Sequence, residues 1–176
     1  MTRVLGIDPG SVVTGYGVID TDGHRNIYVD HGHIRVKGDS FAERLGHIHR
    51  SIVEVVDQWQ PIEAAVEQVF VSNNPMSALK LGQARGAAIT AVVAADMAVF
   101  EYSARSIKQV VAGTGSAEKK QIQTMVKAQL DIQRVLQADA ADGLAVAICH
   151  AHSRQSVIKG VSVSPRRKAR GRGLRW

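Results

Sequence analysis

Val4-Leu5-Gly6-Ile7-Asp8-Pro9-Gly10-Ser11 is an apolar run that ends abruptly on an acid and a turn. Short apolar runs closed by Pro and Gly read as strands, so Val4 to Asp8 is predicted to be the first strand of a sheet. The chain then returns along Thr14 to Asp20 and, after Asp22-Gly23, along Asn26 to Val36. Turns this short predict an antiparallel meander of three strands. Two further runs, Ala64 to Phe70 and Val99 to Ser103, are each reached through a helical pattern. They are therefore expected as parallel additions. The fold expected from these runs is α/β, with a five-stranded mixed sheet flanked by helices.

The helices carry their own punctuation. Ser40-Phe41-Ala42-Glu43 has the capping-box pattern, and Phe41, Leu45, Ile48, Ile52, Val55, Val56 and Trp59 follow at helical spacing. Asn74-Pro75 opens a second helix predicted to reach Met97. On it Ala78, Gly82, Gly86 and Thr90 form a stripe of small residues, which allows close approach of either the sheet or a second subunit. Shorter helices are predicted at Ser106 to Val111 and Glu118 to Leu130. An Ala-rich helix from near Asp139 to near His152 completes the body.

Composition narrows the class. The 176 residues hold a substantial core and fit one domain, predicted over 1–153, with a basic tail over 154–176. No apolar stretch is long enough to span a bilayer, and no signal-peptide pattern follows Met1, so a cytoplasmic protein is expected. The single cysteine, Cys149, excludes an intrachain disulfide and reads as a small buried hydrophobe. The net charge of +6 equals the six basic residues of the final stretch, Arg166, Arg167, Lys168, Arg170, Arg172 and Arg175. The preceding residues are thus formally neutral, and a Gly- and Arg-rich tail suits non-specific phosphate contact.

Four acids stand where apolar sequence should run on: Asp8, Glu67, Asp139 and Asp142. Carboxylates beside apolar neighbours are costly to desolvate without compensation. If the four meet in space they require cations, and an all-oxygen ligand set suits magnesium or manganese. Asp8 and Glu67 converge if the fourth strand pairs beside the first. Asp139 and Asp142, three apart at a helix start, share one face. Taken singly, each acid has an ordinary explanation: turn cap, ion-pair partner or helix N-terminal charge. The seven histidines show no zinc-site spacing.

These residues sit in stretches that resemble the RuvC family of bacterial Holliday-junction resolvases. The matching stretches are L-G-I-D-P-G-S-V-V-T-G-Y-G-V-I-D from Leu5 to Asp20, E-Q-V-F-V-S-N-N-P-M-S-A-L-K-L-G-Q-A-R-G from Glu67 to Gly86, G-T-G-S-A-E-K-K-Q-I-Q from Gly113 to Gln123 and A-D-A-A-D-G-L-A-V-A-I-C-H from Ala138 to His150. The resemblance runs in order to about residue 152 and does not extend with equal specificity into the tail. It implies a ribonuclease H-like nuclease fold, a homodimer, and magnesium-dependent nicking of two like-polarity strands at four-way DNA junctions, leaving 5′-phosphate and 3′-hydroxyl ends. It further implies Asp8, Glu67, Asp139 and Asp142 as catalytic acids holding two Mg2+ ions, with Mn2+ as a substitute. Some family members carry His at the position of Asp139. Lys108 and Lys119 match DNA-contacting lysines, and Phe70 matches an aromatic that stacks on unpaired bases. Cooperation with the RuvA–RuvB branch-migration complex is implied in the same way. Two rivals are weaker. An ATP-dependent phosphotransferase shares the G-I-D-x-G opening but needs a second such domain, and a non-enzymatic junction binder has no use for four acids.

The tail yields a prediction of its own. Truncation after Ser164 is expected to leave cleavage chemistry intact while weakening DNA binding. For every phosphate that the tail neutralises, its removal should reduce the slope of log affinity against log salt by about 0.9 on duplex arms. Junction affinity measured across a salt series for both forms tests this; identical slopes would show a solvated tail that does not touch DNA.

Overall fold

The computed structural model describes residues 1–69 and 74–158, with side chains described through residue 154. Three strands form the expected meander: β1 (Thr2–Asp8), β2 (Val13–Thr21) and β3 (Asn26–Arg35). Thr14 pins the turn after Asp8: its hydroxyl accepts from the Gly10 amide at 3.2 Å and donates to the Gly10 carbonyl at 3.1 Å. Helix α1 (Phe41–Trp59) starts on the predicted capping box at Ser40 and Glu43. Strand β4 (Glu63–Glu67) then enters parallel to β1, with Ile7 opposite Val66. Helix α2 (Pro75–Ala94) is capped by Asn74, whose side chain accepts from the amides of Met76 and Ser77. It stops short of the predicted Met97, because Asp96 takes a left-handed φ of 56° and turns the chain into β5 (Ala98–Tyr102). Helices α3 (Ala104–Ala112), α4 (Lys119–Gln129) and α5 (Ala138–Ile158) follow. Helix α5 runs past the predicted end at His152. The sheet order is β3-β2-β1-β4-β5.

Strand alternation divides this sheet into two faces. Leu5, Ile7, Val18, Ala64 and Val66 pack against α1 and α2. Val4, Ile19 and Ala65 pack against α3, α4 and α5. The same period of two places Asp8, Glu63 and Glu67 on the α5 side. Cys149 is buried on that side as expected, and burial pushes its thiol up to about 12.

Helix α5 sits directly on the backbone of β1 and β2. A Cβ on Gly15 would lie 1.8 Å from the Asp139 carbonyl oxygen, and one on Gly143 would lie 2.5 Å from the Tyr16 backbone. No side chain fits between helix and sheet at either point. The small-residue stripe of α2 behaves differently. Gly82 and Gly86 face open space, while Ala84, Ala88, Ala91 and Val92 pack inward. The sheet is therefore not the stripe's partner.

Replacing Gly by Ala inside a helix ordinarily stabilises it by about 1 kcal/mol. At Gly143 the sign should reverse, since the new methyl group must displace a strand; overpacking of this kind costs about 1–3 kcal/mol or more. Chemical denaturation of Gly143→Ala checks this, and a stabilised variant would contradict the close seat.

Candidate active site

Three separated parts of the chain meet at the end of the sheet where β1 and β4 finish. Asp8 closes β1, Glu67 closes β4 beside it, and the first turn of α5 brings Asp139 and Asp142 over both. Asp8, Glu67 and Asp142 line one cleft of about 280 Å³ together with Ala104, Ile107, Lys108, Lys119, Ile122 and Ala145. Asp139 stands close enough to both Asp8 and Asp142 to raise their proton affinity.

The electrostatics show what this gathering costs. Burial, then repulsion from Glu67, Asp142 and Asp139, pushes Asp8 from 3.8 up to about 7. Glu67 is raised by burial and by Asp142, against the pull of Lys119 and Lys108. Asp142 is raised by burial although Lys119 opposes the shift. The Lys119 ammonium sits 3.2 Å from Asp142 Oδ2 and is itself held protonated by that pairing. Lys119 is 78% exposed, so the pair contributes little stability of its own.

Lys119 and Lys120 open α4, where positive charge is unfavourable to the helix dipole. Their placement makes sense against the neighbouring acids and against an incoming anion. Helix α3 also borders the cleft, with Ala104 at its start and Lys108 one turn further in. Helix N-termini with lysines attract phosphate oxygens, and buried carboxylates attract cations. The cleft thus has groups for both halves of a metal-assisted phosphodiester reaction.

The donor set fits hard divalent cations, being all oxygen, charged and short of counter-charge. Among the described residues no three His, Cys, Asp or Glu side chains are gathered tightly enough to hold an ion as they stand.

Several groups beyond the expected ones hold this end together. Arg85 of α2 donates to the Glu67 carbonyl oxygen at 3.2 Å and pairs with Glu101 of β5 at 2.8 Å. It thereby fastens the backbone of Glu67 and leaves its carboxylate free. One signal in the residues could have found it: an arginine in a helix otherwise made mostly of small and apolar residues. Phe70 and the tail residues Arg166, Arg167 and Lys168 lie outside the described residues. A larger open groove of about 670 Å³, lined by His24, Arg25, Tyr28, Gln129, Asp131 and His152 among others, lies at the opposite end of the sheet. It gathers no comparable set of acids.

The order β3-β2-β1-β4-β5, with acids ending β1 and β4 and a helix laying two more across them, defines a ribonuclease H-like nuclease. Comparison with known proteins narrows the class. Residues 4–150 match the family model described as crossover junction endodeoxyribonuclease RuvC. A crossover junction endodeoxyribonuclease RuvC of Psychromonas ingrahamii is 56% identical over 90% of this chain and 91% of its own. That of Idiomarina loihiensis is 54% identical over 98% of this chain and 99% of its own. The solved structure of Thermus thermophilus RuvC in complex with a Holliday junction substrate superposes with a TM-score of 0.83 at 31% identity, covering 89% of this chain and 97% of that one. The chain therefore belongs to the RuvC family. It is a crossover junction endodeoxyribonuclease, a Holliday-junction resolvase of DNA recombination and repair.

The raised acids generate a pH signature in the metal-free protein. Asp8 binds its proton more tightly in the fold than in the unfolded chain, so its contribution favours folding at low pH. That contribution fades as pH rises from about 4 toward about 7. Thermal unfolding in chelator should show the stability advantage of Asp8→Asn over the parent growing through this window and levelling above it. A pH-independent difference would remove the basis for the shift.

Proposed function

We propose that Asp8, Glu67, Asp139 and Asp142 are the catalytic acids of this resolvase, and that they hold two divalent ions, Mg2+ or in its place Mn2+. The observation that carries this reading is the convergence of chain-distant, charge-stressed carboxylates and two lysines in one cleft. When bound, such ions activate a water, hold the scissile phosphate and stabilise the leaving 3′ oxygen. The products would carry 5′-phosphate and 3′-hydroxyl ends.

The chain's own residues supply the rest. Lys119 pairs with Asp142 at 3.2 Å, and its exposed ammonium would also serve a phosphate oxygen of the substrate. Lys108, on the next helix bordering the cleft, adds a second phosphate contact. The N-termini of α3 and α4 point the same charge preference at the substrate. Phe70 follows Glu67 by three residues and is assigned to stacking on bases unpaired at the crossover; such stacking favours distorted DNA over intact duplex. Arg166, Arg167 and Lys168 belong to a basic arm that adds sequence-independent attraction.

A junction offers two strands of like polarity, and a two-fold dimer matches that symmetry. The exposed face of α2 supports a second copy. Met76, Leu79 and Val93 are 60%, 54% and 53% exposed there, on either side of the open Gly82 and Gly86. Cooperation with a RuvA–RuvB branch-migration complex is proposed on family resemblance alone.

Each of Asp8→Asn, Glu67→Gln, Asp139→Asn and Asp142→Asn should abolish most metal-dependent cleavage of a synthetic four-way junction. Binding of the same junction should persist, because removing negative charge does not weaken attraction to phosphate. A fully active Glu67→Gln enzyme would overturn the assignment.

A further inference from the structure

The far half of α5 carries a second polar cluster, centred on His150, eight residues beyond Asp142. His150 is 1% exposed. Its Nε2 lies 2.7 Å from Glu63 Oε2 and its Nδ1 lies 2.8 Å from the Tyr102 hydroxyl. Arg154 Nε reaches the same Glu63 oxygen at 2.8 Å, and Arg154 Nη1 donates to the Thr2 hydroxyl at 3.1 Å. Phe100 packs on the imidazole with ring centroids 4.4 Å apart. Burial lowers the proton affinity of His150, so the neutral ring donates from Nε2 to the carboxylate and accepts at Nδ1 from tyrosine. The cluster ties α5 to β4, β5 and β1 at once.

Its spacing matches that of the acid cluster. Glu63 and Glu67 are four residues apart on β4, on one face, about 13 Å at ~3.3 Å per residue. Asp142 and His150 are eight apart on α5, about 12 Å at 1.5 Å per residue. Helix and strand run in opposite directions, since Asp139 meets Gly15 at one end and Arg154 meets Thr2 at the other. A rigid helix pinned at His150 therefore delivers Asp142 to the level of Glu67. The glycine seat sets the height of α5 above β1 and β2. Core packing is spread along α5 through Leu144, Val146 and Ile148, whereas the two directional hydrogen bonds on the buried ring specify one register and one axial rotation.

We propose that Glu63, Tyr102 and His150 form a positioning latch that sets the register of α5 against β4, and through it the separation of Asp139 and Asp142 from Asp8 and Glu67. His150 is thus a positioning residue and touches neither metal nor DNA. The proposal rests on the reading that the four acids bind divalent cations.

Mn2+ binding to the DNA-free protein, followed by electron paramagnetic resonance, tests it directly. His150→Leu keeps the site apolar and removes both hydrogen bonds; Mn2+ affinity should fall about tenfold, a size typical when the shell supporting a metal is removed. Junction affinity without metal should stay within about twofold, since His150 makes no phosphate contact. His150→Gln, whose amide can replace Nε2 toward Glu63, should recover most of the Mn2+ affinity. Tyr102→Phe removes one hydroxyl and serves if His150→Leu does not fold. Ile52→Val, in the core on the opposite face, controls for general destabilisation and should leave Mn2+ affinity unchanged. Parent-like Mn2+ binding in His150→Leu, or in Tyr102→Phe where His150→Leu does not fold, would overturn the latch. A drop in Ile52→Val equal to that in His150→Leu would do the same. Asp8→Asn separates the two readings: if it binds Mn2+ like the parent, the metal assignment itself has failed.

Discussion

The fold turns on the contact between the backbone of α5 and the backbone of β1 and β2. With Gly15 facing the Asp139 carbonyl and Gly143 facing Tyr16, no side chain separates helix from sheet. Layers separated by ordinary side chains pack about 10 Å apart. Here the helix is drawn inward, and its first turn is brought over the end of β1. Asp139 and Asp142 reach Asp8 for that reason. A side chain at either glycine would push the first turn of α5, and with it Asp139 and Asp142, away from the end of β1.

Much of this is legible in the residues, and the legible part has a local cause. All five strands and all five helices follow from turn residues, caps and periodicity. Asp8, Glu67, Asp139 and Asp142 are visible because each breaks an apolar pattern. What escapes is long-range. Gly15 and Gly143 look like ordinary strand and helix glycines until the opposite surface is known. His150 does not stand out among seven histidines because its partners, Glu63 and Tyr102, lie 87 and 48 residues away. Several element ends also shift by a few residues: β4 stops at Glu67, before its expected end, α3 starts at Ala104 rather than Ser106, the left-handed φ of Asp96 ends α2 early, and α5 continues past His152. The small stripe on α2 is recognisable from spacing, but its direction depends on which helical face meets the sheet.

The active-site cleft is under charge stress. Asp8, Glu67 and Asp142 are raised together, with Asp8 most clearly displaced, and Lys119 and Lys108 offer partial relief. Stress of this kind would be selected against in a purely structural cluster, since apolar residues of similar size pack there without penalty. It becomes useful when the missing positive charge arrives with the substrate. On the proposed reading, the lysines and the helix N-termini would then face a phosphate, and the carboxylates would face cations. Both signs of charge are placed in one cleft without cancelling each other in advance.

That arrangement explains why the directional contacts of α5 are concentrated away from the acids. A hydrogen-bond donor fastened to Asp139, Asp142, Glu67 or Asp8 would fix their positions, but it would occupy the oxygens needed by a cation. Arg85 avoids this conflict by holding the Glu67 carbonyl rather than its carboxylate. The glycine seat avoids it with contacts that use no side chain at all. The Glu63–His150–Tyr102 cluster avoids it by acting at the far end of a stiff helix, where strong polar bonds compete with nothing. Each constraint on the acids is applied through backbone or from a distance, so their carboxylate oxygens stay available, apart from the Lys119 pairing that substrate can displace.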